Sequence, residues 1–271
     1  MESTKIAKDH VLKAEHLQLG YDQKVIIEDM SVTIPDHKIS VIIGSNGCGK
    51  STLLKSFARL IPPRKGSILL DGKPYSSMPS KQLARQIGLL PQSPLVPEGI
   101  KVSDLVSRGR YPYQEPFRNM TKEDYDAVDE AMEMMGVTEF ADRNVDSLSG
   151  GQRQRVWIAM TLAQQTDILF LDEPTTYLDI TYQVEILDLL TELNRTRKTT
   201  ICMVLHDLNL SARYADYMFA LKKGTLVAEG APADILNERL VKEVFNLDCV
   251  VDSDPLSHSP YIVPRGRYHC G

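Results

Sequence analysis

Gly44-Ser45-Asn46-Gly47-Cys48-Gly49-Lys50-Ser51-Thr52 matches the pattern G-x-x-x-x-G-K-[ST]. It lies between the apolar run Ile39 to Ile43 and a segment in which Leu53, Leu54, Phe57 and Leu60 recur at helical spacing. Strand, glycine-rich loop and helix therefore follow in the order this pattern requires. Pro62-Pro63 ends the predicted helix, because proline has no amide to donate. Glycines let backbone N–H groups approach phosphates, and a helix N-terminus favours negative charge. Lys50 can then reach the β- and γ-phosphates of a nucleotide, and the Ser51 hydroxyl can ligate Mg²⁺. The bland alternative is a glycine turn.

Upstream of the loop, residues 11–34 carry two β-like runs, VLKAEHLQLGY and KVIIEDMSVTI, before a Pro35-Asp36 turn. They read as an antiparallel edge ahead of a buried strand. Downstream, Val102 to about Gln165 reads as helical. A capping-box-like Thr121 to Asp124 opens one helix, whose Val128, Ala131, Met132 and Met135 share a face and which Gly136 caps. That methionine-rich face is either core packing or a partner groove. Next come the run Ile168 to Leu171, a helix over Ile180 to Arg195 with Val184, Leu187, Leu190 and Leu193 inward, and the run Thr200 to Leu205. Strands alternating with helices imply a parallel sheet. Tyr217 to Glu229, broken at Lys223-Gly224, reads as a hairpin, and Ala233 to Phe245 as a last helix. Pro255, Pro260 and Pro264 give residues 248–271 the look of an irregular tail.

Composition narrows the class. Over 271 residues, 42% hydrophobic and 25% charged is the balance of an ordinary globular protein. A net charge of −5 argues against bulk attraction to nucleic acid or anionic lipid. Cysteines at 48, 202, 249 and 270 have no CxxC spacing, so neither a zinc site nor a disulfide framework is suggested, and a reducing cytoplasm is the simplest home. The start MESTKIAKDH has no apolar leader region, and no stretch approaches the roughly 18 uninterrupted apolar residues of a membrane span. A membrane role would go through a partner.

Ile168-Leu-Phe-Leu171-Asp172-Glu173-Pro174 places two carboxylates at the end of an apolar strand, where ligands bind in open α/β sheets. Beside a phosphate loop, Asp172 suits Mg²⁺ and Glu173 suits polarisation of an attacking water. The decisive stretch is Leu148-Ser149-Gly150-Gly151-Gln152-Arg153-Gln154-Arg155, a double-glycine turn opening a helix. It resembles the signature motif of ATP-binding cassette proteins, and the resemblance runs over residues 11–247 in that family's order.

The resemblance implies an α/β fold: a P-loop NTPase nucleotide-binding domain with a RecA-like core (about 11–92 and 166–247), an N-terminal antiparallel β-subdomain and a helical insertion (about 100–165). It implies ATP and Mg²⁺ as ligands. Two copies would pack head to tail, with Ser149, Gly150, Gly151 and Gln152 of one facing a phosphate held by Lys50 of the other. Tyr21, otherwise a packing residue, resembles the aromatic that stacks on adenine. Gln92, otherwise a surface glutamine, resembles the one that contacts Mg²⁺ and water. His206 resembles the switch histidine at the γ-phosphate, and its alternative is a structural role. Asp179 resembles the loop residue that crosses the dimer interface, and it reads equally as a helix cap. His37 departs from the family's pattern, where glycine is common, and would strain its turn.

Within the superfamily, Leu90-Pro91-Gln92 with Pro97-Glu98-Gly99, Arg108-Gly-Arg110-Tyr111-Pro112, Pro174 to Ile180 and Leu205 to Asn209 resemble the ATPase subunits of bacterial importers of ferric siderophores, haem or vitamin B12, and together most resemble the iron-siderophore group. That kinship implies a polytopic membrane permease, indirectly a substrate-binding protein, a position at the cytoplasmic face of the membrane, and no nucleic-acid partner. A cytosolic cassette ATPase of iron-sulfur assembly, a repair or translation ATPase, and a nucleotide-binding regulatory module are the alternatives.

Overall fold

Leu12, Ala14, Leu17 and Leu19 turn inward along one strand while Lys13, Glu15 and His16 face out. The break in alternation after Ala14 is a bulge, with His16 at φ 49°. In a computed structural model describing residues 6–92, 98–115, 119–266 and 268, the chain runs β1 (Leu12–Tyr21), β2 (Lys24–Ile34), β3 (Ile39–Gly44), α1 (Lys50–Phe57), β4 (Lys65–Leu70), β5 (Lys73–Pro74), α2 (Ser80–Ala84) and β6 (Ile87–Leu90). It continues through α3 (Val102–Ser107), α4 (Lys122–Met134), α5 (Gly150–Ala163), β7 (Ile168–Asp172), α6 (Ile180–Arg197), β8 (Thr200–Val204) and α7 (Leu208–Tyr214). The remaining elements are β9 (Tyr217–Lys222), β10 (Thr225–Gly230), α8 (Pro232–Ile235), α9 (Glu238–Phe245), β11 (Cys249–Ser253) and β12 (Pro260–Pro264). Pro97 and Cys270 lie outside the described residues.

These elements form two compact units. One comprises Asp9–Ser76 and Thr200–Gly271. It holds the antiparallel sheet β2-β1-β4-β5 and the run β10-β9-β3-β8, in which β3 pairs parallel with both β8 and β9. β3 and β8 are buried along their whole length, as strands covered on both faces must be. The turn between β9 and β10 uses Lys223 at φ 47° and Gly224 at φ 78°, the two left-handed residues that match a hairpin's twist. His37 sits at φ 54°, so the strain expected at that turn is there. It is held by an Nε2 contact with Asp9 at 2.7 Å, and its N–H donates to Thr200 Oγ1 at 2.8 Å.

The other unit comprises Ser77–Thr199 with the residues through Lys8. In it β6 pairs parallel with β7, and α4 packs on α3 and α5. Thr121 and Asp124 form the expected capping box. Val128, Ala131, Met132 and Met135 are all buried, which decides the methionine face for core packing. In α6, Leu187, Leu190 and Leu193 are buried and Val184 half-buried.

Three expectations are corrected. α1 stops at Phe57, and Leu60 lies beyond it, 61% exposed. The last helix is split, because Asn237 accepts the Leu240 N–H at 3.0 Å and starts α9 afresh. The tail is not irregular, since Cys249–Ser253 pairs with Pro260–Pro264 in an antiparallel hairpin.

Candidate active site

Each functional side chain stands at the C-terminal end of a strand or the N-terminal end of a helix. Gly44 closes β3 at φ 153°, where a Cβ would lie 2.4 Å from Leu221 O and 2.6 Å from Cys48 Sγ. No other residue fits there. Asn46 and Gly47 form the exposed rim beside half-buried Ser45, and Cys48 is buried, its thiol pushed up by that burial and only partly offset by Lys50. The loop is tied down by Cys48 N–H to Ser45 O at 3.2 Å and Gly224 N–H to Cys48 O at 2.8 Å. Gly49 precedes α1 at φ 109° and gives it no capping side chain. Ile26 and Ile27 of β2 lie against Gly49, and the same strand pair carries Tyr21, 47% exposed, at its turn. Lys50 is buried and folds back, Nζ donating to Gly44 O at 2.8 Å and Ser45 O at 3.2 Å.

The β3–β8 register sets Ile42 opposite Val204. Gly44 ends β3, and His206 lies two residues beyond the end of β8. His206 is exposed, and the next residue, Asp207, caps α7 by accepting the Leu210 N–H at 2.8 Å.

In the other unit Leu90 of β6 pairs with Leu171 of β7, so Gln92 and Glu173 lie level just past the strands. Gln92 Nε2 donates to Glu173 Oε2 at 2.6 Å, and Thr176 Oγ1 donates to the same oxygen at 3.0 Å. Glu173 takes φ 59°, while Asp172 ends the strand only 1% exposed. Ser149 caps α5: its Oγ accepts the Gln152 N–H at 3.3 Å, and its own N–H donates to Gln152 Oε1 at 3.1 Å. Ser149 and Gly150 remain exposed and Gly151 is buried. Asp179 is an N-cap, accepting the Tyr182 N–H at 3.1 Å.

Sequence reasoning missed two neighbours. Thr176 is a second hydrogen-bond partner of Glu173. The Tyr182 ring lies against Gly151, where a Cβ would come within 3.1 Å of it. Nothing local marks either, although Thr176 follows Glu173 by one turn's spacing.

The family signal Arg108-Gly-Arg110 also gains a physical account. Buried Arg110 donates Nε to Asp124 at 2.8 Å and Nη1 to Ala163 O at 2.8 Å, and it lies 4.0 Å from the Tyr113 ring centre. Gly109 is a close approach, since a Cβ there would meet Met160 O at 2.1 Å.

A phosphate loop, a strand-end carboxylate pair and a side-chain-capped double-glycine helix define an ATP-binding P-loop ATPase. The chain belongs to the ABC transporter family, whose model matches residues 27–176. It is 54% identical over 96% of its length and 94% of the relative's to the protein named probable siderophore transport system ATP-binding protein YusV of Bacillus subtilis (strain 168). With the ferric enterobactin transport ATP-binding protein FepC of Escherichia coli (strain K12) it shares 50% identity over 94% of each chain. The dimeric structure of MJ0796, a bacterial ABC transporter cassette, superposes with a TM-score of 0.72 at 27% identity, over 81% of this chain and 98% of that one. Among the described residues, no helix is long and apolar enough to cross a membrane.

Proposed function

We propose that this chain is the ATP-hydrolysing subunit of a bacterial importer. It works as a head-to-tail dimer at the cytoplasmic face of the membrane and powers uptake of a ferric siderophore through a polytopic permease, fed indirectly by a substrate-binding protein. The observation that carries this reading is half-identity, over nearly whole chains, with proteins named for siderophore and ferric enterobactin transport.

Lys50 and the N-terminal amides of α1 bind the β- and γ-phosphates, and Tyr21 stacks on adenine. Glu173, oriented by Gln92 and Thr176, accepts the proton of the attacking water. His206 holds the γ-phosphate. Ser149, Gly150 and the α5 N-terminus face the phosphate of the partner copy, and Asp179 lies at the copy-to-copy contact. Ser51, Asp172 and Gln92 are hard oxygen donors, the set that Mg²⁺ prefers, and the residues present fit that ion. When bound, Mg²⁺ neutralises charge on the phosphate oxygens.

Uptake of radiolabelled ferric siderophore by cells lacking this chain tests the reading. Restoration by the wild type and not by Lys50→Ala supports it. Loss of haem or vitamin B12 uptake instead would reassign the cargo, and unaffected uptake of all three would favour a cytosolic iron-sulfur assembly role.

A further inference from the structure

The C-terminal hairpin has no part in the site described above, yet it is joined to it through one short helix. β12 lies along α7, with Ile262 (4% exposed) on its inner side. Asn209 of α7 clasps the backbone of Ile262 at both groups. The Ile262 N–H donates to Asn209 Oδ1 at 2.7 Å, and Asn209 Nδ2 donates to Ile262 O at 3.3 Å. Here a side-chain amide supplies both the acceptor and the donor that a neighbouring strand would.

Four residues on, and so on the same helix face, Arg213 Nη2 donates to Asp254 at 2.5 Å. Asp254 also accepts the N–H groups of Leu256 at 2.9 Å and Ser257 at 3.0 Å. The Ser257 amide and then Arg213 hold its carboxyl well below the usual carboxylate range. One charged pair thus fixes both the hairpin's turn and its seat on the helix.

α7 has seven residues, too few to persist as a helix without tertiary support. It begins with the Asp207 cap, immediately after His206, and Ser211 Oγ donates to Asp207 O at 2.6 Å. Whatever fixes α7 therefore fixes the direction in which the chain leaves β8, and with it the place of the His206 ring.

We propose that the C-terminal hairpin is a brace that positions His206 through α7, with Asn209 and Arg213 as positioning residues. The proposal rests on the reading of His206 as a γ-phosphate contact. Such a brace acts on the hydrolysis step and leaves nucleotide binding, which Lys50 and the α1 amides carry, unchanged.

The test is single-turnover hydrolysis of radiolabelled Mg-ATP by the full chain in excess, alongside the affinity for a fluorescent ATP analogue and the melting temperature. Asn209→Ala is expected to slow hydrolysis about tenfold with affinity held within about twofold, because Lys50 and the α1 amides, which carry nucleotide binding, are untouched. Asn209→Asp keeps the acceptor for the Ile262 N–H and is expected to recover most of the rate. Rate, affinity and melting temperature falling together, or Asn209→Ala hydrolysing at the wild-type rate, would overturn the brace. His206→Ala is run beside them. If it hydrolyses normally, the reading of His206 fails. If it is slow while Asn209→Ala is not, only the brace fails. Should Asn209→Ala not fold, Asp254→Asn weakens the same seat and is judged by the same three readouts.

Discussion

Glu173 shows how much one residue carries. It sits at φ 59°, an uncommon backbone for a residue other than glycine, and its carboxylate is steered by Gln92 and Thr176. Removing its basicity alone, in Glu173→Gln, is expected to slow hydrolysis by about 10²- to 10⁴-fold while ATP affinity stays near that of the wild type. Rapid-quench hydrolysis and equilibrium nucleotide binding check the two halves of this expectation, and full turnover would remove Glu173 from its role. The places of Asp172, Glu173, Lys50 and Ser51 at strand and helix ends were legible from sequence because they sit in contiguous motifs, beside the strand or helix that positions them. Thr176 and Tyr182 were not, because proximity makes their roles and no motif holds them. Asp179 is a helix cap, one of the two readings its sequence offered.

Elements are held in place by pairs that a periodicity argument does not see. Arg110 and Asp124 are both almost fully buried, and Asp124 also closes the capping box of α4 through the Thr121 N–H at 3.0 Å. Burial raises the Asp124 carboxyl, but the Thr121 amide, the Arg110 guanidinium and the Thr121 hydroxyl together bring it below the usual carboxylate range. A depressed carboxylate stabilises the fold above its unfolded value of about 3.9, and that contribution disappears as pH falls through the lower folded value. Arg110→Met leaves the carboxylate without its cation and is expected to cost about 3–5 kcal/mol. Urea unfolding at neutral pH would measure the loss. Repeating it towards pH 3 should show the variant losing less additional stability than the wild type.

The signature helix offers a second test at this scale. Gly151→Ala pushes a methyl into the Tyr182 ring and is expected to slow hydrolysis, and adding Tyr182→Ala should relieve the clash and restore part of the rate. The capping box of α4 was legible because its two residues are three apart. The tail hairpin was not, because its prolines read as breakers. In fact Pro260 and Pro264 sit at the two ends of β12 in a two-stranded ribbon, a placement open to prolines. The split of the last helix hung on Asn237, whose cap is visible only once the chain is seen to restart there.

For the molecule as a whole, the question is what brings two copies together. Each carries a net charge of −5, so the long-range force between copies is repulsive, and nucleotide adds more negative charge. In the proposed head-to-tail pair, attraction would come from short-range capture of each phosphate by Lys50 of one copy and the capped α5 N-terminus of the other. ATP would then stabilise the proposed pair by mass action, by about 2.7 kcal/mol at a hundredfold excess over its dissociation constant. This architecture makes a prediction that a site built within one copy does not share. In a Glu173→Gln background, Lys50→Ala and Ser149→Arg are each expected to abolish the ATP-dependent dimer. Mixed together, they form pairs in which one composite site has lost both partners and the other is intact. Sedimentation with labelled ATP should therefore show dimers returning in the mixture with about one nucleotide per pair of chains, against about two for the parent. If Lys50 and Ser149 served the same nucleotide within one copy, mixing would restore nothing, and the head-to-tail arrangement would have to be given up.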